Sequence, residues 1–169
     1  RDYSLELSTQ NDKLPLLNVY GGKITTYRRL AEAAVERLNP WFSNMKGAWT
    51  RRSPLPGGDF PINGVEDLIS DLKNKFPFLS EYWAKRLIRA YGTDAKKILG
   101  EAKKMEDLGK NFGATLTEKE VNWLIDNEWA NCADDIIWRR SKLGLRLNQI
   151  EQEVLQSWIS GQKLDSRVN

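Results

Sequence analysis

The sequence has no histidine among its 169 residues. That absence removes His-based nucleophilic triads, most zinc sites and the usual proton shuttle at neutral pH. A single cysteine, Cys132, allows no internal disulfide, which fits a reducing compartment. Charge of one sign is also scarce in excess: 26 Lys and Arg face 23 Asp and Glu, for a net charge of +3. So mild a balance does not argue for a nucleic-acid partner. Long apolar runs are missing as well. Leu14 to Tyr20 is broken by Pro15 and Asn18, and Ile136 to Trp138 is shorter still, so neither can span a bilayer. What remains is 29% charged and 40% hydrophobic residues, ordinary for a folded globular chain. The opening residues read as mid-chain, and the sequence is expected to be a piece of a longer protein.

Residues 3–7 place Tyr3, Leu5 and Leu7 on one side of an alternating run, a half-buried strand. Ser8 to Lys13 reads as a turn, and Leu14 to Tyr20 as a second strand that ends at Gly21-Gly22. From Ile24 the period changes to that of a helix, with Ile24, Tyr27, Ala31, Ala34, Val35 and Leu38 on one stripe. Asn39 to Asn63 holds four of the six prolines and predicts an irregular connection. A connection of that length points to a domain boundary, placed between residues 52 and 53.

Beyond it the punctuation predicts helices only. They are expected over Val65–Phe76, after Ser80 up to Gly92, and from Thr93 to about Leu108. A fourth opens on a capping box at Thr117–Glu120, with Val121, Leu124, Ile125 and Trp129 inward. A fifth starts near Asn131 or Asp134, and a sixth starts at Asn148 and stops at Gly161, with Ile150, Val154, Leu155, Trp158 and Ile159 inward. The fold class is therefore mainly α: a domain of about six helices (53–169) preceded by a strand–turn–strand–helix piece (1–52). The seven tryptophans are expected to supply much of the core. Glu128 and Arg140 both intrude on apolar stripes and are expected to form a buried ion pair. Of the basic clusters, Arg139-Arg140 lies near Asp134 and Asp135, and pairing within the chain is expected there.

The segment most open to chemistry is Leu16 to Arg28. A strand runs through Gly21-Gly22 and Lys23 onto a helix start. Two residues without Cβ admit close approach to the backbone, and unpaired helical N–H groups with a lysine favour negative charge. The same residues also suit a plain strand-to-helix turn with an exposed lysine. A nucleotide phosphate loop is excluded, because Leu17 and Ile24 stand where Gly and Ser or Thr are needed. No Gly-x-Gly-x-x-Gly turn occurs either. No residue is assigned to a metal.

Arg1 to Leu5 and Leu16 to Arg28 closely resemble the family of aerobic, FAD-dependent glycerol-3-phosphate dehydrogenases of bacterial type. So do Leu55 to Phe60, Tyr91-Gly92, Glu128-Trp129-Ala130, Asp134-Asp135, Trp138-Arg139-Arg140 and Lys142-Leu143-Gly144. The likeness runs in order from Arg1 to about Trp158, as in the C-terminal third of such an enzyme. Ser141 in place of threonine and Ile24 in place of leucine are mild departures. The resemblance implies a parent flavoprotein that oxidises glycerol 3-phosphate to dihydroxyacetone phosphate and passes electrons to quinone. It implies a cytoplasmic protein attached peripherally to the inner membrane, with a homodimer allowed and no nucleic-acid partner. Residues 1–52 are then the end of the FAD- and substrate-binding domain, whose upstream part is the partner of this chain, and residues 53–169 form a helical cap. The resemblance further places Arg1 at the substrate phosphate, Lys23 between flavin and substrate, and Gly21, Gly22, Ile24 and Thr25 against the flavin ring. By itself the chain is expected to be inactive and to hold no FAD, and the base for the substrate hydroxyl is expected upstream. A different reading leaves residues 21–25 as a structural turn and makes the helical part a non-catalytic interaction domain.

Overall fold

The computed structural model describes residues 3–11 and 13–165. They form two compact units, divided between Pro54 and Leu55.

The first unit begins with an antiparallel hairpin of β1 (Ser4–Gln10) and β2 (Leu14–Tyr20). Its register pairs Leu5 with Val19 and Leu7 with Leu17. The alternation in β1 puts Leu5 and Leu7 on the half-buried side. β1 runs three residues further than its alternation suggests, because the turn forms at Asn11, whose φ is +53°, and Lys13 N–H donates to the Gln10 carbonyl. Asparagine tolerates this left-handed conformation better than most residues. The helix that follows opens with a 3₁₀ turn at Ile24–Thr26 and becomes α1 over Tyr27–Leu38. Pro40 lies in a 3₁₀ turn, Asn39–Trp41, and a second such turn covers Thr50–Arg52. No residue of α1 is buried. The stripe expected to face inward is open instead, with Ile24 at 86% exposure and Tyr27 and Val35 about half exposed.

The second unit contains α2 (Val65–Lys75), α3 (Glu81–Tyr91), α4 (Ala95–Leu99), α5 (Glu118–Glu128) and α6 (Gln149–Asp165). A small hairpin, β3 (Asn111–Gly113) with β4 (Leu116–Thr117), precedes α5. The chain is mainly α, as its periodicity implies. Ser80 caps α3 by accepting from the Trp83 amide, and Gly92 closes it at a φ of +54°. A Cβ at Gly92 would lie 1.9 Å from the Gly57 carbonyl oxygen, so glycine is required there by space as well as by φ.

Two apolar clusters make the core of this unit. One gathers Leu72, Phe76, Trp83, Leu87 and Leu99, and the other Phe112, Leu116, Leu124, Ile136 and Leu155. Tyr91 packs against both.

Several expectations are corrected. The helix expected from Thr93 to Leu108 is only α4, because Gly100 turns the chain at a φ of +59° and Lys104 is extended. The fifth helix is present but wound as a π-helix over Asp135–Arg140 and ends before Ser141, whose N–H reaches back five residues to the Ile136 carbonyl. Gly161 does not stop α6, and the inward stripe there is Gln152, Leu155, Trp158 and Ile159, which leaves Ile150 exposed and Val154 on the flank. Leucine, isoleucine and phenylalanine supply most of the core volume. Of the tryptophans only Trp83 is buried, and Trp129 is 83% exposed at the left-handed end of α5.

Candidate functional site

At Gly21 and Gly22 the chain leaves β2 with φ of +76° and +103°, values that an L side chain adopts only under strain. Gly22 also passes over α1, where a Cβ would meet Leu30 Cδ2 at 3.0 Å. Lys23 then returns to an extended conformation, φ −122° and ψ 148°. Its carbonyl accepts from the Thr26 amide at 2.9 Å and from the Thr26 hydroxyl at 3.1 Å. Its own N–H donates to the same hydroxyl over a long 3.4 Å. Ile24 and Thr25 follow in the first turn, where helical amides have no acceptor behind them.

All five residues from Gly21 to Thr25 are exposed. Lys23 makes no ion pair among the described residues. The structure therefore brings together two side-chain-free residues, an uncommitted ammonium and an open apolar side chain on one short loop. That set suits a flat ring carrying partial negative charge: the glycines leave its face unobstructed, and the cation and turn amides attract its polar edge. The flavin ring of FAD has this chemistry, and these residues fit it. Arg1, expected at the substrate phosphate, lies outside the described residues.

Behind this loop, α1 is tied to the segment after it. Arg28 donates to Thr50 Oγ1 at 3.3 Å and pairs with Glu32 at 2.8 Å, while the Thr50 hydroxyl donates to Glu32. The Thr50 hydrogen bond, followed by Arg28, holds the Glu32 carboxyl below the usual carboxylate range.

The second unit has its own charged cluster, at a place the sequence reading missed. Arg86 of α3 grips Glu120 of α5 with two bonds of 2.7 Å, a bidentate pair, and also donates to Thr115 Oγ1 at 2.9 Å and the Thr115 carbonyl at 3.0 Å. Tyr91 donates to the same carboxylate at 2.7 Å. Glu120 is 1% exposed. Burial opposes the Arg86 charge, but the Glu120 carboxylate outweighs it and holds the guanidinium in its charged form. Burial, together with the Glu120 charge, raises the Tyr91 hydroxyl and keeps it neutral. The charges here answer one another, so this is a polar clamp between α3 and α5.

The clamp explains why the capping box at Thr117 does not form. Glu120 is drawn into the interior by Arg86, and Thr117 is held in β4 opposite Asn111, with no side-chain cap bond. One clue lay in the sequence: Arg86 is one helical turn from Trp83, on the edge of the buried stripe of α3.

The expected Glu128–Arg140 ion pair is also not made. Arg140 donates to the Glu128 backbone carbonyl at 3.0 Å, both side chains are exposed, and the arginine serves as a cap for α5. Arg139 does pair with Asp135, at 2.9 Å. Asp135 also accepts from the Asn131 and Cys132 amides, and these bonds lower its carboxyl below the usual range, with Asn131 contributing most.

Comparison with known proteins bears on both units. Residues 48–160 match the family model of the C-terminal domain of alpha-glycerophosphate oxidase. The chain belongs to that family. It is 44% identical to the aerobic glycerol-3-phosphate dehydrogenase of Escherichia coli over 160 residues, 94% of this chain and 32% of that protein. It is likewise 44% identical to the glycerol-3-phosphate dehydrogenase of Pseudomonas aeruginosa, over 96% of this chain and 31% of the relative. The D-erythritol 1-phosphate dehydrogenase of Brucella abortus is 38% identical over 97% of this chain and 32% of its own length. The chain thus spans about a third of these relatives. Among the described residues no helix is long and apolar enough to cross a membrane.

Proposed function

We propose that the intact protein is a flavin-dependent glycerol-3-phosphate dehydrogenase and that this chain supplies one edge of its cofactor site. The observation that carries the reading is the exposed loop Gly21–Thr25, with its two positive-φ glycines and a Lys23 that forms no ion pair among the described residues, in a chain 44% identical to glycerol-3-phosphate dehydrogenases. Residues 1–52 form the end of the FAD- and substrate-binding domain, and residues 53–169 form a helical cap without catalytic groups. When bound, FAD supplies the ring that accepts hydride from the C2 carbon of the substrate.

The residues of this chain then act by placement and charge. Gly21 and Gly22 would leave the ring's face open, and Ile24 and Thr25 would hold its pyrimidine side. Lys23 would stand between that ring and the substrate, where its ammonium would stabilise negative charge as it develops. Arg1 holds the substrate phosphate, for which a guanidinium's fork of donors is suited. The proton of the C2 hydroxyl goes to a base on the upstream part of the protein. Electrons leave to a membrane quinone. The protein is cytoplasmic and held peripherally at the inner membrane, with a homodimer allowed.

The test is made on the intact protein. It should be yellow with a flavin spectrum, and should reduce a quinone analogue when given sn-glycerol 3-phosphate. Lys23→Ala should lower kcat by about 10²- to 10³-fold, the usual loss when one donor to developing charge is removed. A colourless protein, or unchanged turnover in Lys23→Ala, overturns the reading. The 38% identity to a D-erythritol 1-phosphate dehydrogenase favours one second reading, in which the substrate is a longer polyol phosphate. A higher kcat/KM with D-erythritol 1-phosphate than with glycerol 3-phosphate would select it.

A further inference from the structure

We infer that Thr26 is a positioning residue for Lys23: its hydroxyl sets the lysine's backbone and thereby aims the ammonium. The inference rests on the reading of Lys23 given above. A lysine has four rotatable side-chain bonds, and Lys23 follows two glycines, the residues that restrain a backbone least. The restraint comes from downstream, from the hydroxyl and the amide of one residue. The Thr26 hydroxyl donates to the Lys23 carbonyl at 3.1 Å and accepts from the Lys23 amide at 3.4 Å, while the Thr26 amide donates to the same carbonyl at 2.9 Å. A single O–H can perform both roles, since it has one hydrogen to give and lone pairs to receive. Both polar groups of the Lys23 backbone are therefore held by a residue three positions on, half-buried at the start of α1.

Thr26 is the third residue of the 3₁₀ turn that Lys23 opens, and its hydroxyl accepts from the Lys23 amide in the manner of a capping box. It stands at the cap position of α1, yet its side chain makes no cap bond to that helix. Its hydroxyl turns back onto Lys23 instead. A valine there keeps the shape and the β-branch but can neither give nor receive, and a serine keeps the hydroxyl without the methyl.

The experiment uses the intact, FAD-loaded protein in four forms: Thr26→Val, Thr26→Ser, Lys23→Ala and the unaltered sequence. Two quantities are read, steady-state kinetics with glycerol 3-phosphate and the flavin midpoint potential by spectroelectrochemical titration. The potential depends on a cation beside the ring and is independent of turnover. Thr26→Val is expected to lower kcat about 10- to 100-fold with a smaller change in KM, the penalty for a misplaced group. It should also move the midpoint potential downward, part of the way to the value of Lys23→Ala. Thr26→Ser should restore both to near the unaltered values. Thr26→Val matching the unaltered protein in both, with Lys23→Ala impaired, overturns the positioning role and leaves the Lys23 reading standing. Lys23→Ala without effect on either sinks the underlying reading itself. Should Thr26→Val fail to retain flavin, Thr26→Ser decides: impairment there as deep as in Lys23→Ala means that the methyl, not the hydroxyl, matters, and the inference is wrong.

Discussion

The two units use their apolar residues in opposite ways. Residues 55–169 close around two clusters in which Leu72, Leu116, Leu124 and Leu155 are all but inaccessible, and even their buried carboxylate is matched by a guanidinium and a phenol. Residues 3–54 have no fully buried side chain among those described, and Leu14, Leu16, Val19, Ile24 and Val35 all face outward. The first unit has the secondary structure of a finished fold without the burial that stabilises one. In this protein regular hydrogen bonding and a hydrophobic core are separable, and the chemistry is assigned to the part that lacks the core.

That contrast can be broken most sharply at the polar clamp. Arg86→Ala or Glu120→Ala leaves one charge buried without its partner and should cost about 3–5 kcal/mol, read as a loss of thermal stability in the second unit. A loss below about 1 kcal/mol would mean that the pair is not buried as described. Next, the same chemical change can be made on each side of the divide. Leu124→Ala should cost about 2–5 kcal/mol by opening a cavity, while Leu16→Ala in this chain should stay within about 0.5 kcal/mol. In the intact protein, if the upstream part of the proposed FAD-binding domain covers the hairpin, Leu16→Ala should become measurably destabilising. An equal effect in both settings argues against that cover.

Smaller effects sharpen the picture at helix ends. Ser80→Ala removes the bond to the Trp83 amide and should cost about 1 kcal/mol in the same thermal measurement. Asp135 provides a pH test. Its carboxyl is lowered in the folded state, so its contribution is present above the ordinary aspartate value and is lost as pH falls through the lower, folded value. An acid titration should therefore show the unaltered chain losing stability below about pH 4, where Asp135→Asn loses less.

The residues show why some of this could be read from the sequence and some could not. Ser80 and Gly92 act locally, and their helix ends were legible. So was the helix start at Asn148, where Asn148 Oδ1 accepts from the Glu151 amide and Glu151 accepts from the Asn148 amide. Thr117–Glu120 has the same kind of pattern and a different outcome, because Arg86, 34 positions away, competes for the glutamate. No local rule contains that competitor. The π-helix misled the pairing of Glu128 with Arg140, since an i→i−5 ladder rotates residues off a stripe counted at 3.6 per turn. The open stripe of α1 was legible as apolar but not as uncovered, because periodicity marks a face without saying what lies on it. At the candidate site, the glycines, the lysine and the helix start were all visible in the chain. The role of Thr26 was not, since it depends on a hydroxyl that turns away from the helix it begins.

The most direct test is a structure of the intact protein with FAD and glycerol 3-phosphate bound. The account predicts the Lys23 ammonium within about 3.5 Å of the flavin's pyrimidine edge or of the substrate, with the ring lying over Gly21 and Gly22. A Lys23 side chain directed into solvent, with the flavin elsewhere, would contradict it.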